Sequence, residues 1–322
     1  MVIDMEHHFY SCDTWFLPGI SDKKIDRGWT WTSDGRAARV SEPELRIGDH
    51  LEFMDSSGID VAVLTTNAVR GLEQAKSLTE ACAKAVQQHP KRFIGFAPVD
   101  PLGGKAALDE MDRAVKDLGM KGVHISCRPN KKHMDSKEMW PFYERVAKLG
   151  VPIDAHVEFG LDLDFLEADY ALRFTMAREY IVCAETLRVC LGGVLEAFPD
   201  LVFIMNHFGG GVSAVMERVD VYVNLMGDNF YRGKPPISKP WRTYFDKLYF
   251  NMAGREAGMA AVKSALTTIS PRKLMFATDW PPNFENNPRG ASEYVEAIRM
   301  LDLPKEDIDD MLGGNAARLL GL

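Results

Sequence analysis

Val2-Ile3-Asp4-Met5-Glu6-His7-His8, residues 2 to 8, is the stretch on which the fold turns. A short apolar start runs directly into side chains able to bind metal. Side chains alternate along an extended strand, so Glu6 and His8 share one face and His7 points to the other. A strand that delivers two ligands at its C-terminal end is one way for a barrel with a metal at its mouth to begin. Alone, the pair reads as two solvated polar residues near a terminus. The metal reading therefore needs further ligands at the ends of later strands.

Moving outward, short apolar runs recur along the whole chain. They are Val2 to Glu6, Asp60 to Leu64, Phe93 to Ala97, Gly122 to Ile125, Val151 to Ala155, Val202 to Asn206, Leu248 to Asn251 and Leu274 to Ala277. Between them lie amphipathic stretches of helical period: Pro43 to Ser56, Leu72 to Gln88, Lys105 to Leu118, Lys137 to Leu149, Gly210 to Leu225, Glu256 to Thr267 and Ala291 to Met300. Strand followed by helix, repeated about eight times, predicts an α/β protein: a (β/α)8 TIM barrel with its active site at the C-terminal strand ends. An open doubly wound sheet is the alternative, disfavoured because no GxGxxG follows the first strand. No low-complexity linker interrupts the pattern, so residues 1–322 read as a single domain.

The composition excludes several functions. A chain of 322 residues suits one α/β barrel, and 46% apolar content allows a large core. Its formal net charge of -8, without a basic patch, argues against nucleic acid or an anionic membrane as partner. No stretch approaches the roughly 20 apolar residues that span a bilayer, and MVIDMEHH is not a charged-then-apolar signal segment. A cytoplasmic location is the expectation. The five cysteines, Cys12, Cys82, Cys127, Cys183 and Cys190, show no CxxC spacing and suit reduced thiols, with Cys183 and Cys190 reading as helix-packing residues.

Two insertions stand out. Phe9 to Glu42 is rich in aromatics (Phe9, Tyr10, Trp15, Phe16, Trp29, Trp31), which favours a packed lid over a mobile tail. Gly227 to Tyr244, with Pro235-Pro236 and Pro240-Trp241, reads either as a pocket cover or as a subunit contact.

The predicted strand ends present Glu6 and His8, then His124, His156 with Glu158, His207 and Asp279. Barrel closure brings these to one mouth. Carboxylate and imidazole donors suit Zn²⁺, Mn²⁺ or Fe²⁺, not a thiolate site. His207 is followed by a glycine run whose backbone N–H groups can approach an anionic substrate, although a plain strand-to-helix turn also needs glycine. Asp279 alone reads as well as an N-cap. His124 reads as a structural histidine near the pocket wall. His50, His89 and His133 lie in or near helices and read as facing solvent.

The motifs carry a resemblance. Phe-Met-Asp-Ser-Ser-Gly-Ile-Asp-Val-Ala-Val-Leu at 53 to 64, His-Pro-Lys-Arg-Phe-Ile-Gly-Phe-Ala at 89 to 97 and Ala-Phe-Pro-Asp-Leu at 197 to 201 belong to it. So do His-Phe-Gly-Gly-Gly at 207 to 211, Ala-Thr-Asp-Trp-Pro at 277 to 281 and Gly-Asn-Ala-Ala-Arg-Leu at 314 to 319. Nearly end to end, the chain resembles the amidohydrolase-related metal-dependent decarboxylases, the group of aminocarboxymuconate-semialdehyde decarboxylase and γ-resorcylate decarboxylase.

The resemblance implies Glu6, His8, His156 and Asp279 as ligands of one divalent metal ion, zinc or manganese. It implies His207 as a general base or substrate-orienting group. Glu-x-His in the first strand resembles the subgroup acting on hydroxylated benzoates, whereas relatives usually carry His-x-His. Those benzoate enzymes often place a glutamate three residues after the sixth-strand histidine; Gly210 stands there instead, as in the glycine-rich branch. Arg218 matches a family arginine near the pocket and suits a substrate carboxylate, with a surface salt bridge to Glu217 or Asp220 as the other reading.

The reaction this implies is non-oxidative decarboxylation of an aromatic or conjugated carboxylic acid, with Asp279 as proton donor. Trp15, Phe16 and Glu158 are candidate substrate contacts, the aromatics reading equally as core or dimer packing. A hydrolase opening a lactone or amide, or a hydratase, uses the same ligands. Resemblance also implies a homodimer or higher homo-oligomer.

Overall fold

In the computed structural model of the chain, residues 1–10, 24–25, 28–33, 36–41, 46–66, 69, 71–157, 170, 172–225, 234–284 and 287–322 are described. Eight parallel strands follow one another around a barrel: β1 (Ile3–His8), β5 (Val61–Thr65), β6 (Phe93–Pro98), β7 (Gly122–Ser126), β8 (Ile153–His156), β9 (Phe203–Met205), β10 (Tyr249–Met252) and β11 (Leu274–Phe276). Helices α1 (Ile47–Ser57), α2 (Leu72–Gln88), α3 (Gly104–Lys116), α4 (Trp140–Leu149), α5 (Arg178–Leu191) and α6 (Val194–Ala197) connect the first strands. The turn α7 (His207–Gly211) follows β9. Then come α8 (Met216–Leu225), α9 (Trp241–Phe245), α10 (Gly254–Ala265), α11 (Pro288–Arg299), α12 (Lys305–Asp309) and α13 (Asn315–Leu320). This is the (β/α)8 barrel expected from the alternating pattern.

Two apolar layers follow from strand alternation. Ile3, Met5, Val63, Ile94, Phe96, Ile204, Met275 and Ala277 fill the barrel interior, closed by Ala316 and Leu320 of α13. Their strand neighbours, such as Ala62, Val123, Ile153, Phe203, Phe250 and Phe276, pack outward against the helices. The inward positions become polar toward the strand ends: His124 and Ser126 on β7, Asp154 and His156 on β8, Asn251 on β10. Each is buried.

β1 breaks the alternation once. Its register against β5 slips between Asp4 and His7, a bulge. Because of that extra residue, Met5 packs in the barrel and Glu6 also turns toward the interior, while Asp4 and His7 meet on the other side, Nδ1 to Oδ2 at 2.7 Å. Bulges re-aim side chains in this way beside functional sites.

The seam between the last and first strands is held by few groups. His8 N donates to Trp280 O at 2.8 Å and Asp279 N to Glu6 O at 3.1 Å. The Asp4 carboxylate adds to this, accepting from Thr278 N (2.8 Å), Thr278 Oγ1 (2.5 Å) and Glu6 N (3.2 Å).

Two elements add to the expected pattern, and one expectation needs correction. The first insertion contains an antiparallel sheet of β2 (Lys24–Ile25), β3 (Gly28–Ser33) and β4 (Arg36–Ser41), with Ser33 paired to Arg36 across Asp34-Gly35. Asp-Gly between alternating residues is a hairpin signal that the aromatic content obscured. Helix α5 carries Cys183 and Cys190, which read as helix-packing residues; its buried face also holds Arg178 and Glu185 among Ile181, Val182, Val189 and Cys190, which blurs the apolar stripe. His50 does not face solvent: it is fully buried, its ring 4.6 Å from that of Trp280 and 5.0 Å from that of His7. In the second insertion Trp241 is buried, its Nε1 donating to Asp220 Oδ1 at 2.8 Å. Among the described residues no helix is long and apolar enough to cross a membrane.

Candidate metal centre

Glu6 and His8 from β1, His156 from the end of β8 and Asp279 just after β11 each offer a donor atom, and these atoms lie within 4.8 Å of one another. None of the four residues is more than 2% exposed. His8 Nε2 lies 2.7 Å from Asp279 Oδ1, and His156 Nε2 lies 2.9 Å from Glu6 Oε1. The second contact is close, yet among the described residues neither Glu6 Oε1 nor His156 Nε2 has a hydrogen-bond partner. Two buried donor atoms that approach without bonding are aimed at a common point, where a cation would satisfy both. Two carboxylates and two imidazoles are a hard-to-borderline donor set of the kind Mn²⁺ or Zn²⁺ accepts, so the residues fit one divalent ion.

The electrostatics agree with that fit. Burial pushes the Glu6 carboxyl up, but His156, His207 and His8 together hold it well below the usual carboxylate range. For His8, burial opposes the charge while Asp279 and Glu6 favour it, and the imidazole is raised to about 10. Burial dominates at His156, which is lowered to about 4 and keeps its lone pair. The cluster binds positive charge strongly, and a divalent ion competes for the same place as those protons.

A second ring of groups orients the first. Asn251, at the end of β10, donates from Nδ2 to Glu6 Oε2 at 2.6 Å and accepts the backbone N–H of His207 at Oδ1, 2.9 Å away. Asn283 Nδ2 donates to Asp279 Oδ2 at 2.9 Å. Thr278, clamped by Asp4, holds the backbone just before Asp279, whose φ of +52° lies in the left-handed region, uncommon for a residue with a Cβ.

His207 opens α7, in which five consecutive residues have positive φ: His207 +53°, Phe208 +56°, Gly209 +63°, Gly210 +64° and Gly211 +69°. The turn is left-handed. That conformation costs a residue with a Cβ about 1–2 kcal/mol, which is why glycine fills the last three places. Its effect is to hold the His207 ring beside the cluster, Nε2 at 3.6 Å from Glu6 Oε1. Nδ1 lies 2.9 Å from Glu179 Oε1 on α5. A cavity of about 490 Å³ adjoins this side of the site, lined by His207, Glu179, Phe208, Gly210, Ala261 and Ala265 among others.

His124 lies apart from the four donors; its Nδ1 is 2.6 Å from Asp154 Oδ2 and its ring centroid is 5.6 Å from that of His156. Arg218 is exposed on α8, its guanidinium 5.1 Å over the Tyr222 ring, and the structure does not bring it into the cluster. Asp220, one of its expected surface partners, pairs with Arg242 instead. Trp15, Phe16 and Glu158 lie outside the described residues. The sequence reading missed Asp4, Glu179, Asn251 and Asn283. Asn251 could have been found, since it ends a predicted strand. Glu179 could not, because a glutamate within a helix ordinarily faces water.

Comparison with known proteins agrees with this geometry. Residues 3–322 match the model of a family described as amidohydrolase. Gamma-resorcylate decarboxylase of Polaromonas sp. (strain JS666) is 27% identical over 307 residues, covering 87% of this chain and 90% of that one. The 2-amino-3-carboxymuconate-6-semialdehyde decarboxylase of Dictyostelium discoideum is 24% identical over 290 residues, 87% of this chain and 77% of its own. Among solved structures, a dihydroxybenzoic acid decarboxylase from Polaromonas sp. JS666, with bound manganese and the inhibitor 2-nitroresorcinol, superposes with a TM-score of 0.80. It is 25% identical, and the match covers 100% of this chain and 97% of that one.

Proposed function

The chain belongs to the amidohydrolase family, and from that premise we propose that it is a metal-dependent carboxy-lyase, releasing CO₂ without oxidation from a hydroxybenzoate-like acid. One observation carries the reading: a buried Glu6, His8, His156 and Asp279 cluster with a fifth group, His207, facing it. A hydroxybenzoate has an anionic carboxylate beside a ring oxygen, a pair of hard donors that such a site suits. The related decarboxylases named above support the same substrate class.

Glu6, His8, His156 and Asp279 would hold one divalent metal ion, which would supply Lewis-acid polarisation of the bound acid. The chain's own residues do the rest. Decarboxylation requires the ring carbon bearing the carboxylate to gain a proton. The C–C bond then breaks, its electron pair returns to the ring, and CO₂ leaves. Asp279 is the proton donor in this reading; Asn283 Nδ2, donating to its Oδ2, restrains its carboxyl. His207 orients the substrate or takes the ring hydroxyl proton. Positioned acids of this kind contribute about 10²–10⁴-fold.

The test is a panel of hydroxybenzoates and lactones with added Mn²⁺ or Zn²⁺, read out by CO₂ release and ultraviolet absorbance. Turnover of an aromatic acid that vanishes in Asp279→Asn is expected. Consumption of lactones with no acid turned over makes the protein a hydrolase. Full activity of Glu6→Ala without stoichiometric metal overturns the metal reading. A homo-oligomer and one domain over residues 1–322 belong to the same proposal; light scattering after gel filtration and limited proteolysis test them.

A further inference from the structure

His207 bridges two parts of the molecule. Its Nε2 faces Glu6 and has no hydrogen-bond partner among the described residues, while its Nδ1 is 2.9 Å from Glu179 Oε1. The ring can do this only because α7 lies flush against the start of α5. A Cβ on Gly210 would stand 2.0 Å from the backbone oxygen of Glu179 and 2.4 Å from the backbone nitrogen of Cys183. No side chain fits there. The bare backbone instead lets α5 approach, and α5 brings its own carboxylate to the histidine.

We propose that Glu179 is the positioning residue for His207. Its carboxylate accepts the Nδ1–H hydrogen bond and thereby fixes the ring's orientation. Nε2 is left as the nitrogen that works on the substrate side. The opposite end of the residue is held as well, by the His207 N–H to Asn251 Oδ1 bond, so backbone and ring are restrained independently. Glu179 is not one of the four donors; it lines the adjoining cavity and acts on the site through His207. The same carboxylate oxygen that orients an imidazole also selects its tautomer, because an ionised carboxylate can only accept.

The kinetic part of the test rests on the decarboxylase reading, whereas the spectroscopic part does not. Zinc-loaded protein labelled with ¹⁵N-histidine is studied by long-range ¹H–¹⁵N correlation, with His207 assigned by its loss in His207→Gln. Wild type is expected to carry its proton on Nδ1, and Glu179→Leu to lose that preference. With an aromatic acid identified in the panel, Glu179→Leu lowers kcat by about 10–100-fold, the usual effect of removing a group that orients a working residue. KM and metal content stay near wild type, and Glu179→Gln, which keeps an acceptor oxygen, lies between the two. A bare Nδ1 in wild-type protein overturns the proposal, as does Glu179→Leu with unchanged tautomer and kcat. If Glu179→Leu does not fold, the wild-type spectrum and the kcat of Glu179→Gln decide. If no acid is turned over at all, the function falls while the wild-type spectrum still judges Glu179.

Discussion

At the scale of single residues, the site depends on groups that never face its centre. Asp4 accepts from His7 Nδ1, Glu6 N, Thr278 N and Thr278 Oγ1, so one carboxylate joins the first and last strands just beneath two donors. Each buried donor left unpaired costs about 1–3 kcal/mol. Asp4→Ala is therefore expected to lower unfolding free energy by at least about 3 kcal/mol in urea titration, and Asp4→Asn by less, since an amide retains one acceptor oxygen. Equal stability of Asp4→Ala and wild type would remove Asp4 from the seam. The sequence offered no sign of this role, because an aspartate in an apolar strand has no spacing that marks its partner 274 residues away.

At the scale of elements, the left-handed turn α7 and helix α5 form one unit. Gly210 and Gly211 have nearly the same φ, +64° and +69°, but a Cβ on Gly210 meets the α5 backbone whereas one on Gly211 meets nothing within 4 Å among the described residues. Comparing alanine at the two positions separates conformational strain from collision. Gly211→Ala pays only the left-handed penalty, about 1–2 kcal/mol, while Gly210→Ala forces α5 away and is expected to cost more than about 4 kcal/mol or to prevent folding. Similar melting temperatures for the two variants would contradict the close packing. The glycine run itself was legible in the sequence as a turn after a strand. Its handedness and its partner helix were not, since both depend on what lies across the contact.

At the scale of the whole molecule, stability responds to metal and to alkali. An ion bound only by the folded chain at a hundred times its dissociation constant adds about 2.7 kcal/mol. Chelation should lower Tm, and Mn²⁺ or Zn²⁺ should restore it; a Tm indifferent to both counts against the metal centre. On the alkaline side, burial raises the Cys82 thiol from 9.0 to about 12 and the Cys183 thiol to about 11, and it raises Cys190 and Tyr294 as well. A group whose folded value is raised stabilises fully below its unfolded value, and that contribution is lost as pH climbs toward the folded one. Tm is thus expected to fall progressively between pH 9 and 12, and a flat profile to pH 11 would show these groups exposed. The eight-strand rhythm, the strand-end positions of Glu6, His8, His156, His207 and Asp279, and the family were all determined by sequence, because period and strand termination are local properties. Only the tertiary structure decided which face Glu6 takes after the bulge, what closes the barrel, and which carboxylate meets His207. Those depend on contacts between residues far apart in the chain, whose partners no local pattern encodes.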